Sequence, residues 1–376
     1  MNPKPSGQAR VSVRVPPWLA PVSGLLGTFV GIVSGLYSRE LRSAIELSAR
    51  HLRFTSTLTV VLISTIVTSI SSIMFYRLII RRRWNGSITR GEIFIKSDAV
   101  VNLTSDRDSV VGRRLAYLEA KRPGDDLVVF LHGLGLDAHD FRPYMLESKF
   151  HCISLTMFGF NVEERGDEHY GPISLDSHIN LLMYALERFS QRYGGKRLTL
   201  VGFSFGADMA LFLSKVKPEA LARLHIRKAV LLDPNVNRST TTISSKISRV
   251  DQEQPLAQLV AILESAGNVA EFRYLSEYLY KITSKNFAQI QRHAREVVDE
   301  WPDDTYDRFL DLLGRLMGLS AGVHVVLSFN YESLFNGLAR GAVARGLDTS
   351  DLECSTYDHF ELISPAHLKE RLEGLL

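Results

Sequence analysis

From Gly91 onward the chain repeats one pattern: a short, mostly apolar run, a turn, then a stretch of helical periodicity. The runs lie at residues 126–131 (DLVVFL), 151–156 (HCISLT), 197–201 (RLTLV), 228–232 (KAVLL), 323–327 (VHVVL) and 352–355 (LECS). Residues 174–192 read as an amphipathic helix, and an Ala/Leu-rich helix separates the last two runs. Short apolar strands alternating with helices predict a mostly parallel sheet of α/β class, covered on both faces. The composition, 45% hydrophobic and 23% charged, is that of an ordinary globular chain and excludes disorder and fibrous repeats. Two cysteines, Cys152 and Cys354, allow neither a disulfide framework nor a Cys-based zinc site. Both read as small buried hydrophobes in strands.

The formal charge of +3 hides an asymmetry. Residues 1–90 hold twelve Lys/Arg against two Glu, which leaves the remainder at −7. An acidic body argues against a nucleic-acid-binding function, which needs a basic face. The basic quarter contains an uncharged stretch of 23 residues, 54–76, followed at once by Arg77, Arg81, Arg82, Arg83 and Trp84. A helix of that length spans about 34 Å, enough for a hydrocarbon core of about 30 Å. The following arginines are a stop-transfer pattern, so residues 54–80 are expected to form a transmembrane helix. Residues 1–53 hold a second apolar segment, 18–37, preceded by Pro16 and Pro17 and carrying Gly27, Gly31 and Gly35 at four-residue spacing. It reads either as a first membrane helix, with that glycine ridge open to helix–helix association, or as an interfacial or re-entrant segment. The flanking arginines place the protein in the membrane with its C-terminal body, 91–376, on the cytoplasmic side.

Gly202-Phe203-Ser204-Phe205-Gly206 is the sharpest motif in the chain. A G-x-S-x-G between a strand (RLTLV) and a helix (ADMALFL) forms a tight turn that lifts the Ser204 hydroxyl above the sheet. The order of three motifs, His132-Gly-Leu-Gly135 after one strand, this elbow, and His359-Phe-Glu-Leu after the last strand, resembles the α/β-hydrolases. The likeness covers residues 91–376. It implies a serine hydrolase of the esterase, lipase or thioesterase kind, using an acyl-enzyme on Ser204 with His359 as general base. It further implies an oxyanion hole built from the backbone N–H groups of Leu134 and Phe205. His132 is expected to buttress its turn rather than to move protons.

The resemblance leaves the triad acid open. The family usually places it in the loop after the penultimate strand, where Glu332 stands, 27 residues before His359. Asp233, in Leu-Leu-Asp-Pro at the end of the preceding strand, is the rival. Two departures from the family pattern stand out: Thr156 occupies a position often held by Asp, and Asn161 and Glu163 replace the Gly and Ser that would follow Gly159. Between Asp233 and Val323, residues 256–263, 269–282, 287–298 and 306–317 have helical periodicity. In this family such an insertion, here about 236–320, becomes a helical cap. Its run Phe272, Tyr274, Leu275, Tyr278 and Leu279 reads as cap packing or as one wall of an acyl pocket. No metal or organic cofactor is implied. The expected substrate is a small-molecule or lipid-like acyl ester or thioester. The alternative is a catalytically silent member acting as a membrane receptor or scaffold.

Overall fold

The computed structural model describes residues 88–97, 106–164, 172–251, 255–267 and 269–376. The expected membrane segments, 18–37 and 54–80, with Gly27, Gly31 and Gly35, lie outside the described residues. Among the described residues no helix is long and apolar enough to cross a membrane.

Eight strands form one sheet in the order β1-β2-β4-β3-β5-β6-β7-β8. They are β1 (Ile88–Phe94), β2 (Arg114–Ala120), β3 (Asp126–Leu131), β4 (His151–Leu155), β5 (Arg197–Phe203), β6 (Lys228–Leu232), β7 (Val323–Leu327) and β8 (Leu352–Cys354). From β4 through β8 every neighbouring pair is parallel; β1–β2 and β2–β4 are antiparallel. All residues of β4 and β7 are buried, as expected of strands covered on both faces. The antiparallel pair β1–β2 adds to the strands expected from the sequence. Its outer strand, ITRGEIF, is mostly exposed and carries ion-paired Arg90 and Glu92, so it lacks the apolar run that marks the others.

The longer helices are α1 (Leu175–Arg192), α2 (Phe205–Val216), α3 (Thr242–Ser248), α4 (Pro255–Glu264), α5 (Val269–Thr283), α6 (Phe287–Glu300), α7 (Asp307–Leu319), α8 (Glu332–Ala344) and α9 (Pro365–Leu375). Ser174 caps α1 by accepting the Ser177 N–H, and Asp106 accepts in turn from the Ser174 N–H and hydroxyl. Helices α3 to α7 fill the interval between β6 and β7. In α5 the side chains of Leu275, Tyr278 and Leu279 are buried while Phe272 is half exposed.

Strand order determines where the site lies. The chain leaves β3 toward β4 on one side and β5 on the other, so the loops after β3 and β5 meet where the order reverses. In open α/β sheets ligands bind in the crevice outside the carboxyl ends at such a point. The core beneath is aromatic: Phe130 stacks on Phe141 with ring centroids 4.6 Å apart and meets Tyr144 edge-on at 5.6 Å. Phe141 is fully buried, so Phe141→Ala is expected to cost about 3–5 kcal/mol. Urea unfolding checks this, and a loss below about 1 kcal/mol would mean that the site collapses to fill the void.

Candidate active site

Strand β5 runs into α2 with Ser204 as the single residue between them, at φ 51° and ψ −121°. A non-glycine residue in that region is strained and persists only when its surroundings hold it. The Ser204 N–H donates to the Leu232 carbonyl on β6 at 2.8 Å, extending the ladder into the turn. A Cβ on Gly206 would lie 2.2 Å from the Leu131 carbonyl oxygen, and one on Gly202 would lie 2.6 Å from Ala207 Cα. Both obstacles are backbone, so both glycines are required. The Ser204 hydroxyl has no hydrogen-bond partner among the described residues.

Asp233 repeats this construction one strand over. It follows β6 at φ 52°, and its N–H donates to the Val326 carbonyl on β7 at 2.7 Å. Phe203 and Leu232 are register partners, so Ser204 and Asp233 leave the sheet side by side. The Asp233 carboxylate is 1% exposed. It accepts from the Ser328 N–H at 2.6 Å and the Ser328 hydroxyl at 2.8 Å, and His359 Nδ1 lies 2.5 Å from its Oδ2. The His359 ring packs 4.7 Å from that of Phe203, the residue before Ser204, and meets Phe360 edge-on. With Nδ1–H given to Asp233, Nε2 is left with its lone pair.

Glu332, at the family's usual place for the acid, is not the residue facing His359; Asp233 is. Glu332 begins α8 and its side chain is exposed, because a 3-10 turn over Phe329–Tyr331 sends the chain directly into that helix. The loop where the acid was expected contributes Ser328 instead, whose two donors hold the carboxylate of the neighbouring strand.

The loop after β3 supplies the other half of the site. Leu134 and Phe205 are both buried, yet among the described residues neither backbone N–H has an acceptor. Phe205 opens α2, so its N–H is one of the helix's unpaired N-terminal donors. Buried orphan N–H groups are rare in folded proteins. His132 is fully buried: Met157 N–H donates to its Nε2 at 3.0 Å, leaving Nδ1–H to donate to the Gly133 carbonyl at 2.8 Å. Burial pushes its pKa down to about 4, so the ring is neutral. The Gly133 carbonyl belongs to the same peptide unit as the Leu134 N–H. Donation to that oxygen polarises the amide and strengthens the N–H as a donor.

Helix α5 and the residues after it grip this loop from above. The Tyr278 hydroxyl donates to the Leu134 carbonyl at 3.0 Å, and the buried Lys285 ammonium donates to the Gly135 carbonyl at 2.7 Å. Lys285 also pairs with Asp137 at 2.8 Å. Burial works to raise the Asp137 carboxyl, but His139 and Lys285 beside it hold it well below the usual range. These contacts, made across 144 and 150 residues, had no counterpart in the sequence motifs. The two departures from the family pattern also resolve: Thr156 Oγ1 accepts the Ala138 N–H at 3.1 Å, and the carboxylate of Glu164 accepts from Gly159 and Asn161, closing the turn. Glu163 faces out and pairs with Arg90. Among the described residues no group of three or more His, Cys, Asp or Glu is placed to hold a metal.

A sequence model of the alpha/beta hydrolase family matches residues 128–355. No curated protein sequence matches the chain. Among solved structures, one is the AqdC variant described as recognising and ring-cleaving the Pseudomonas quinolone signal, in complex with its substrate. It is 14% identical at a TM-score of 0.50, covering 76% of this chain and 98% of that one. A carboxylesterase structure from the thaumarchaeon Nitrososphaera gargenis is 13% identical at 0.50, covering 70% and 93%. At such identities the likeness is one of fold.

The elbow's strain predicts two substitutions of opposite sign. Ser204→Gly relieves the positive φ and is expected to raise stability by roughly 1 kcal/mol, strain relief outweighing glycine's added chain entropy. Gly206→Ala drives a Cβ into the Leu131 carbonyl and is expected to destabilise. Calorimetry reads both; a stabilised Gly206→Ala variant would contradict the packing described for this turn.

Proposed function

Because the chain belongs to the alpha/beta hydrolase family, we propose that it is a serine hydrolase cleaving an ester or thioester through an acyl-enzyme on Ser204. The observation that carries this reading is the 2.5 Å contact between His359 Nδ1 and buried Asp233, beside the strained Ser204 turn. The unpaired N–H groups of Leu134 and Phe205 support it. His359 Nε2 takes the Ser204 proton as the hydroxyl oxygen attacks the acyl carbon, and Asp233 stabilises the imidazolium. The carbonyl oxygen, now an oxyanion, accepts from the Leu134 and Phe205 N–H groups. Collapse expels the leaving group, protonated by His359, and water repeats the sequence to release the acid and restore Ser204.

The uncharged stretch at 54–76 supports a membrane anchor and favours a lipid-like acyl substrate over a freely soluble one, and the arginines after it favour a body on the cytoplasmic side. An acidic body speaks against nucleic acid as a partner.

A fluorophosphonate probe is expected to label the full-length protein in membranes, and Ser204→Ala to abolish both labelling and ester turnover. Labelling that survives Ser204→Ala would refute the assignment. Asp233→Asn keeps the shape but favours the wrong His359 tautomer, so turnover is expected to fall on the order of ten-thousand-fold. Glu332→Gln, on an exposed helix start, is expected to stay within about twofold of wild type. Steady-state rates on p-nitrophenyl butyrate separate the two, and the opposite ranking would return the acid's role to the loop after β7.

A further inference from the structure

One fully buried carboxylate joins the helix that starts after Ser204 to the loop that starts at Asp233, touching neither His359 nor the Ser204 hydroxyl. Asp208 lies one turn into α2, and its N–H donates to the Ser204 carbonyl at 3.1 Å. Its Oδ1 accepts the Asn235 N–H at 2.9 Å, and its Oδ2 lies 2.5 Å from Asn235 Nδ2. Asn235 is two residues beyond Asp233. The neighbours on α2, Ala207, Met209, Ala210 and Leu211, are all buried and apolar. A buried acid there is costlier than a hydrophobe would be, so its presence asks for a reason beyond packing.

We propose that Asp208 and Asn235 form a bridge that fixes Asp233, and through it His359, relative to Ser204. Asp208 is thus a positioning residue of the reaction proposed above, and the inference rests on that reading. Asn235 has little freedom of its own: Tyr331 donates its hydroxyl to the Pro234 carbonyl at 3.0 Å, on the residue between Asp233 and Asn235. The groups facing the Asp208 carboxyl are Asn235, Trp301 and Tyr331. The Trp301 indole N–H lies outside ordinary hydrogen-bond geometry, yet close enough to favour the charged form. Burial, then Asp233 and Asp208, holds the Tyr331 phenol well above its usual range, so it stays neutral.

Burial pushes the Asp208 carboxyl up to about 8, against the Asn235 donors, so it changes charge near neutrality. Asn235 suits both forms. The carboxylate accepts from its amide N–H, and the protonated acid donates to its amide oxygen once the amide is turned over. The bridge therefore persists through the titration. An aspartate at 235 has no such tolerance. The backbone N–H at 235 still reaches Asp208 Oδ1, but the side-chain half of the bridge holds only while at least one proton remains between the two carboxyls, which repel when both ionise.

The test compares Asn235→Asp with the swapped pair Asp208→Asn/Asn235→Asp, in which one amide again faces one acid. A second carboxyl raises the loss of the last shared proton above the value of about 8 that Asp208 has beside an amide. Two readouts are therefore followed from pH 6 to pH 10: turnover of p-nitrophenyl butyrate, and the downfield proton resonance of His359 Nδ1–H, which reports its bond to Asp233 without any substrate. Asn235→Asp is expected to match wild type near pH 6. As pH rises it is expected to lose kcat on the order of 10- to 100-fold at unchanged KM, together with the resonance. The swap is expected to restore both. Asn235→Asp tracking wild type at every pH, or a swap no better than the single change, overturns the proposal. If Asn235→Asp fails to fold, restoration by the swap still decides. A wild-type protein that no fluorophosphonate labels sinks the hydrolase reading, while the resonance still reports on the bridge.

Discussion

Two residues held at positive φ, one past the end of each of two adjacent parallel strands, determine the geometry of this site. Ser204 and Asp233 both spend their N–H groups on the next strand's ladder, which is what keeps each in a conformation it would otherwise leave. Parallel register then fixes their spacing, because Phe203 and Leu232 are partners. Strain of this kind costs of order 1–3 kcal/mol per residue and survives only where surrounding structure over-determines it. Here the surroundings are the sheet itself, and His359 bonds the second of the two residues while its ring packs on Phe203, the neighbour of the first.

Much of this was legible in the chain. The apolar runs marked six of the eight strands, and the elbow, the His132 turn and His359 announced themselves by residue type and order. The antiparallel pair β1–β2 did not announce itself, and β1 in particular balances exposed charge against half-covered side chains and so has no strong periodicity. The acid was hard for a different reason. Leu-Leu-Asp-Pro reads the same whether Asp233 caps a strand or faces a histidine, and the 27-residue spacing of Glu332 from His359 says nothing about a helix that begins at Glu332. The deciding fact is that Ser328 turns both its donors onto Asp233, a contact made across 95 residues. The same limit hid Tyr278 and Lys285. Asp208 left one visible trace, a lone acid in the apolar stretch ADMALFL.

Several of the buried polar groups share one role. His132, Thr156, Glu164, Asp208 and Lys285 are all buried, and each holds a loop at the carboxyl end of the sheet rather than a contact deep in the core. Apolar side chains fill space between strands and helices but cannot fix the direction of a peptide group. Hydrogen bonds can, which is why the loops nearest Ser204 are tied down by the groups most expensive to bury.

The grip of Tyr278 and Lys285 on the Leu134 and Gly135 carbonyls bears on how such a chain can diversify. A helical insertion between two strands looks like an interchangeable module, free to be replaced whole as substrates change. Here the insertion owns two of the bonds that shape a loop more than a hundred residues upstream, and Lys285 balances the charge of Asp137 on that loop. Exchanging it for foreign helices takes the cationic partner from the half-buried Asp137 carboxylate and frees two carbonyls in the same stroke. Insertion and loop are therefore coupled parts of one structure, and a change made in either has to preserve these bonds.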